Sequence, residues 1–348
     1  LVLSTGAPAR LLGGRGGTVT EDAAWLFFAL ALGALAFLPF DVVGGLLLPR
    51  RFGRYAPTNG RFLLSWARGV LVLLAVSTLA GTALIAAGRS AGRPGALLVF
   101  VTVGALLLLV QESMARWVGG LRRAHGTRSA ESAVRPGGMS GVLVLEGSDP
   151  AFSGGFTGPA ATPVLSAQWL QRLNPRTLDL LLERREEIRR SGGWRRAVVA
   201  ALLWNALGFT LASYLPGAGV DSVAGLVTTA LGFTLWTFVG LLVLPTPSRR
   251  ATVSADALVV RDDESRSRLE EAVNVLDKLQ DEEPERPARI ETVFHPVPSV
   301  RNRLRALREP VQRIGTWHLA RTALFLSYAG LSQLPRMVHC NVGRPELW

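Results

Sequence analysis

AWLFFALALGALAFLPFDVVGGLLL, residues Ala24 to Leu48, carries one ionisable side chain, Asp41, and runs straight into Pro49, Arg50 and Arg51. About 20 apolar residues are enough for a helix to cross the hydrocarbon core of a bilayer, and helices that are apolar all round belong in a large core or a membrane. Four further runs follow the first: Gly69 to Gly88, Pro94 to Val110, Ala197 to Leu215 and Val223 to Leu244. The third and fourth need their flanks to reach a full span. The pattern predicts an α-helical integral membrane protein with about five transmembrane helices.

The formal charge of +12 is almost all arginine, and the arginines gather at the ends of apolar runs rather than in one nucleic-acid-binding patch. Arg50, Arg51, Arg54 and Arg61 lie between the first two runs, and Arg116, Arg122, Arg123 and Arg128 follow the third, whereas residues 216–221 carry no base. By the positive-inside rule the arginine-rich segments face the cytoplasm and the N-terminus lies outside. The partners this implies are membrane lipids and other integral membrane proteins, with no nucleic acid, in a bacterial-type inner membrane. The first run is too long for the core of a cleaved signal and ends in arginines, which predicts a retained anchor, and the start at Leu1 predicts a lost start methionine or leader. Cys340 is the only cysteine, so neither an intrachain disulfide nor a thiolate cluster is possible.

The expected organisation is an N-terminal extramembrane segment over 1–23, three membrane helices within 24–112, a polar segment over 113–196, a membrane hairpin over 197–245, a second polar segment over 246–316, and a surface or packing segment over 317–348. Because the hairpin returns the chain to the side it left, the two polar segments can form one discontinuous domain. In the first of them, Gly141 to Gly147 reads as a strand, Asp149 to Phe156 as a turn-rich loop, and Ala161 to Ser166 as a second strand that Pro163 should confine to a sheet edge. From Asn174-Pro175 the pattern is helical, with Asn174 placed as cap and Leu178, Leu181, Leu182, Arg185 and Ile188 near one face. The second polar segment opens with a helix, breaks around Arg261 to Ser267, continues as an amphipathic helix over Leu269 to Leu279, and ends in a helical stretch over Val300 to Leu307. The last apolar run, Leu319 to Leu331, is too short to span.

This order of motifs resembles the HtpX-like and CAAX-processing membrane zinc metallopeptidases. Pro150-Ala151-Phe152 matches that family's Asn-Ala-Phe loop, Arg249 with Ala255-Asp256 its Ala-Asp helix, Val275-Leu276-Asp277-Lys278-Leu279 its Lys-Leu helix, and His295-Pro296 or Val297-Pro298 with Arg303-Leu304-Arg305-Ala306-Leu307 its late segment. The match covers about Val142 to Leu307. The resemblance implies a discontinuous α+β zincin-like cytoplasmic domain, an edge strand that lies beside a peptide substrate, and a zinc ion held by a His-Glu-x-x-His helix with a glutamate from the Ala-Asp helix.

The chemistry implied is absent from those positions. Zinc hydrolysis needs two imidazoles a turn apart, a glutamate between them to activate water, and a third ligand. The corresponding helix reads Leu180-Leu181-Leu182-Glu183-Arg184-Arg185-Glu186-Glu187-Ile188, and the third ligand, four residues before Asp256, is Thr252. Glu183 and Glu187 share a helical face and could form a carboxylate metal pair. The preferred reading is an ion-paired face, with Glu186 placed to meet Arg190. His125, His295, His318 and His339 have no ligand spacing, Ser153, Ser166 and Ser191 sit in no nucleophile elbow, and Gly137-Gly138 and Gly154-Gly155 lack the Lys-Ser/Thr of a phosphate loop. Asp41 and Arg68 are charges within or beside apolar runs, read as a structural or interface pair rather than an ion pathway. The tryptophans Trp25, Trp66, Trp117, Trp194, Trp204 and Trp236 read as an aromatic belt.

The expectation is therefore a protein without metal or other cofactor that has left catalysis behind: a scaffold or accessory subunit, with a respiratory or photosynthetic assembly as a specific form of that role. Its predicted docking residues are Ala161, Thr162, Val164, Leu165 and Ser166, since pairing with a strand edge uses backbone groups and needs no zinc. The alternative is a metallopeptidase with an atypical carboxylate site at Glu183 and Glu187.

Overall fold

A computed structural model describes residues 5–52, 58–117, 121–123, 141–145, 154–280, 283–295, 297–308 and 315–328. Pro150-Ala151-Phe152, His125, His339 and Cys340 lie outside the described residues. The chain divides into two compact units, one comprising 1–109, 201–240 and 323–338 and the other 110–200, 241–322 and 339–348.

The first unit is built from apolar helices. After a short helix α1 (Ala7–Leu12), α2 (Val19–Val42) begins at Thr18, whose side chain accepts from the Glu21 backbone while Glu21 reaches back to Thr18, a reciprocal cap that starts the helix ahead of the apolar run. It passes through a π-turn at Val43–Leu47 into α3 (Leu48–Arg51). Helix α4 (Asn59–Trp117) holds 59 residues, about 88 Å if straight, far more than a bilayer needs. It breaks at Gly92, whose φ of 63° and ψ of −158° are open to glycine, and Pro94 follows. The break divides it into two segments, each long enough to span. Among the described residues, three helical stretches are long and apolar enough to cross a membrane: Val19–Arg51, Asn59–Trp117 and Val223–Val259.

The expected fourth run is also helical, but the helix that contains it opens with Arg195 and Arg196 and carries Asn205. Those polar groups keep it out of the strictly apolar set. Asn205 is buried and donates to the Ala323 carbonyl at 2.8 Å, which answers the cost of an amide among apolar side chains. Phe100 and Phe209 stack at 4.5 Å, with Phe233 edge-on to Phe100 at 5.4 Å, at the centre of this unit's core. Trp204 and Trp236 stack at 4.4 Å with planes 26° apart, and the Trp236 indole donates to the Trp204 carbonyl at 3.0 Å. Gly208 leaves room for that ring, because a Cβ there would lie 2.0 Å from Trp236 Cδ1. Asp41 is buried and accepts from Trp66 Nε1 at 3.0 Å, while Arg68 is half-buried. A second carboxylate, Asp22, takes two bonds from Arg89, at 2.6 and 3.0 Å.

The second unit holds a four-stranded sheet, β1 (Leu121–Arg123), β2 (Leu143–Leu145), β3 (Gly155–Thr157) and β4 (Thr162–Ser166), in the order β1-β2-β4-β3. β2 runs parallel to β4, and the outer strands are antiparallel to their neighbours. Two strands correspond to the runs read from the sequence. The others are three residues each, one of them Leu-Arg-Arg and the other overlapping the end of the expected turn-rich loop, too short for any alternation to register.

Helices α5 (Ala167–Arg172) and α6 (Pro175–Arg190) follow. Asn174 caps α6 by accepting from the Thr177 amide at 2.8 Å, with Pro175 at the first helical position. α6 is buried on two sides. Leu178, Leu181 and Leu182 pack with Val144, Leu165 and Trp169 under the sheet, and Leu180 packs with Val259, Leu269, Val273 and Val300. Completing the chain are α7 (Gly193–Ala212), α8 (Val223–Val243), α9 (Pro245–Val259), α10 (Asp263–Gln280), α11 (Ala288–Phe294), α12 (Val300–Ala306) and α13 (Leu319–Leu326). The expected break before α10 is brief, because Asp262 accepts from the Ser265 amide at 2.7 Å and restarts the helix at once. α11 lies in a stretch with no periodicity strong enough to announce it.

Candidate functional site

Helix α6 brings Arg184 and Arg185, adjacent in sequence, to two different buried environments. Arg184 reaches α9. Its Nε donates to Asp256 Oδ1 at 2.5 Å, and its Nη2 to the Thr252 carbonyl at 3.3 Å. From α12, Arg303 grips the same carboxylate with two bonds, Nε to Oδ2 at 2.7 Å and Nη2 to Oδ1 at 2.9 Å. Asp256 is wholly buried, so residues 72 and 47 positions away converge on it through a dry interior. Burial alone pushes the Asp256 pKa up, but the two guanidiniums outweigh it and the net direction is down. For Arg184, burial is the largest influence and lowers the pKa, with Asp256 opposing it. Its guanidinium also lies over the Trp317 ring, 4.9 Å from the centroid.

Arg185 points toward the sheet and donates from Nη1 to the Val164 carbonyl at 2.5 Å. Burial pushes its pKa down to about 9, with Arg184 and Arg321 adding to the shift, although a guanidinium at neutral pH remains a cation. Gly154, at φ 65°, gives it space, since a Cβ there would sit 2.1 Å from the Val164 oxygen and 2.5 Å from Arg185 Nη2. Arg321 donates to the Gly154 carbonyl at 3.1 Å. His318 is half-exposed as a residue, but its ring is enclosed, and burial followed by Arg321, Arg185 and Arg184 holds its pKa well below the ordinary histidine value. The imidazole is therefore neutral throughout the physiological range. Its carbonyl accepts the Thr322 amide at 3.0 Å, while its side chain belongs to this cluster.

The remaining positions singled out from the sequence fall on the rim or elsewhere. Glu183 is exposed and pairs with Arg261 at 2.7 Å. Glu187 pairs with Arg190 at 3.4 Å and lines a recess of about 290 Å³ with Ser191, Arg196 and Ser254. Glu186 takes Arg190 at 2.9 Å, the pair the helical spacing anticipates, and Arg189 at 2.6 Å as well. Thr252 is buried, and its hydroxyl donates to the Ser248 carbonyl at 3.2 Å as an ordinary helical serine or threonine does.

The strand expected at the sheet edge is internal. β4 pairs with β2 from Val164 to Ser166 on one side and with β3 from Thr162 to Val164 on the other. Pro163 is tolerated there because pairing with β2 begins only at the next residue, so the missing amide removes no bond on that side. Val164 is therefore paired on both sides, Thr162 on the β3 side and Leu165 and Ser166 on the β2 side, while Ala161 precedes the strand.

The donor set does not fit a zinc ion. A guanidinium occupies the space between α6 and α9, Asp256 already accepts three bonds from two cations, and the Thr252 hydroxyl is committed to its own helix. Among the described residues, no three His, Cys, Asp or Glu side chains stand close enough to hold a metal. What the arrangement can do is cross-link three helices through one carboxylate. Arg303 and Asp256 both lie in motifs legible in the sequence, but nothing local told which basic residue would meet the carboxylate. The cluster of Trp317, His318 and Arg321 carried no signal at all.

No protein-family model and no curated protein matches the chain. Among solved structures it is similar to S. mikatae Ste24p, with a TM-score of 0.68 at 14% identity over 84% of this chain and 76% of that one. At that identity the likeness establishes a Ste24p-like fold. Together with the apolar helices it makes the chain a multi-pass membrane protein.

Proposed function

We propose that this chain is a non-catalytic member of the membrane-metallopeptidase fold, a scaffold that binds and stabilises other integral membrane proteins. The observation that carries the reading is the Arg184–Asp256–Arg303 triad, which fills the place between two helices where the resemblance would put a metal and its activated water. Such a triad holds helices together without any group able to generate a nucleophile. In this reading the chain crosses the membrane five times, counting the two halves of α4 and helix α7 as spans, with its N-terminus outside and the sheet-bearing unit cytoplasmic and zincin-like. The arginines at residues 50, 51, 116, 122 and 123 support that orientation.

Native mass spectrometry of the full chain extracted in mild detergent, with metal content measured on the same sample, tests the proposal. The expected result is a defined complex with another membrane protein and no stoichiometric metal. Stoichiometric zinc or manganese that is lost in Glu187→Ala, accompanied by peptide hydrolysis lost in the same variant, would overturn it in favour of a carboxylate metallopeptidase.

A further inference from the structure

The recess of about 290 Å³ between the end of α6 and the face of α9 is lined by a carboxylate, Glu187, and a guanidinium, Arg196, that do not pair with each other. Its frame is fixed. Arg196, near the start of α7, donates from Nη1 to the Ser191 carbonyl at 2.7 Å and from Nε to the Gly315 carbonyl at 3.1 Å. Those bonds engage two of its five N–H groups and hold the guanidinium in place, and among the described residues no carboxylate meets it. The Trp317 amide donates to the Gly193 carbonyl at 3.2 Å, and a Cβ at Gly315 would lie 2.5 Å from Ala251 Cα, so residues 315–317 close against both α7 and α9. Glu187 is as loosely committed as Arg196. Its one bond among the described residues comes from Arg190 Nη1 at 3.4 Å, while Glu186 takes Nε of the same arginine at 2.9 Å. Below the two charges lie the buried side chains of Ile188, Ala251 and Ala255.

A simple anion drawn to Arg196 would face Glu187, and a simple cation drawn to Glu187 would face Arg196 and Arg190. A molecule carrying both charges satisfies the two sides at once through charge-assisted hydrogen bonds. The recess is at the lower end of the ~300–1,000 Å³ found for small-molecule pockets, so the two charges must sit close together on a small body. An α-amino acid bears both on one carbon, and an aliphatic side chain matches the apolar floor. We propose that the recess binds a free aliphatic α-amino acid, with its carboxylate on Arg196, its ammonium on Glu187 and its side chain on Ile188, Ala251 and Ala255. The site makes no use of the Arg184–Asp256–Arg303 triad.

The test is isothermal titration of the full chain in detergent, with EDTA present so that no metal bridges Glu187 to the ligand. The probes are leucine, 4-methylpentanoate, which is leucine without its amino group, and 3-methylbutylamine, which is leucine without its carboxylate. The wild type should bind leucine saturably and each analogue at least about tenfold more weakly, the scale of one charge-assisted hydrogen bond. Glu187→Gln should erase the preference over 4-methylpentanoate and keep that over 3-methylbutylamine. Arg196→Gln should do the reverse, and the exposed Glu270→Gln on α10 should change neither. Melting temperatures of the unliganded variants separate loss of the site from loss of the fold, and Glu187→Gln, which gives up only one long bond, carries the test if Arg196→Gln does not fold. Absence of saturable leucine binding would overturn the proposal, as would an unchanged preference in Glu187→Gln. An analogue that binds the wild type as tightly as leucine would reduce the recess to a carboxylate or an amine site and overturn it too.

Discussion

Asp22 and Asp256 are both buried carboxylates held by arginine, one in each unit, and they are held differently. Asp22 meets a single guanidinium, Arg89, whose side chain is 35% exposed and which also donates to the Gly17 and Asp221 carbonyls. Asp256 meets two guanidiniums that are each only 9% exposed. In the first arrangement the cation is partly exposed, so water can replace the partner that Arg89 would lose. The second has no such recourse, because removing the anion leaves two cations facing each other in an interior that cannot solvate them.

The contrast makes a ranked set of expectations. Asp256→Asn should cost about 3–5 kcal/mol, the range for breaking a buried ion pair, and appear as the largest fall in melting temperature measured in detergent. Replacing the whole triad, Arg184→Met with Asp256→Leu and Arg303→Met, should recover most of that loss, since buried ionic groups often exchange neutrally for apolar ones of similar volume. A triple variant as unstable as Asp256→Asn would show that the charges themselves hold the helices.

Asp22→Asn should cost about 1–2 kcal/mol, because Arg89 stays partly hydrated, and its effect should shrink with added salt while that of Asp256→Asn does not. Equal salt dependence in the two variants would dissolve the comparison. The acid profile should also have two legs. His318 is held neutral, so the unfolded chain binds a proton that the folded chain refuses, and stability falls as pH drops through about 6.5 toward the lowered folded value. Asp256 has a depressed pKa, so its contribution is complete above 3.8 and is lost only as pH falls through the lower folded value. His318→Asn should remove the upper leg alone in a pH series of thermal melts. Smallest of all, Glu183→Ala breaks an exposed pair and should change stability by less than ~0.5 kcal/mol.

Much of this architecture is legible in the chain because it is written in local terms. Asn174-Pro175 announces the start of α6, the apolar runs announce the membrane helices, and the Gly141–Gly147 run announces β2. What could not be read is non-local. Pro163 suggests an edge by its own chemistry, yet strand order depends on β3, three residues whose pairing exists only once the sheet has formed. The same holds for the site. Glu183, Arg184, Glu187 and Thr252 were identifiable as positions where metal chemistry is missing, but their sequence does not say that Arg184 crosses to Asp256 while Glu183 turns outward to Arg261. A Ste24p-like fold is reached at 14% identity, which requires only that apolar volume and helix ends be kept.

The stacked pair Trp204 and Trp236 has a use beyond packing. Two indoles 4.4 Å apart at a 26° angle couple their excited states, so the folded first unit carries its own optical signature, a paired signal in the ultraviolet circular dichroism that separates as the rings part. Gly208 is what allows the rings to meet, since any side chain there would displace Trp236. Gly208→Ala should therefore extinguish that signal, and in the wild type its decay on heating reports the melting of the membrane helices separately from the unit that holds Asp256.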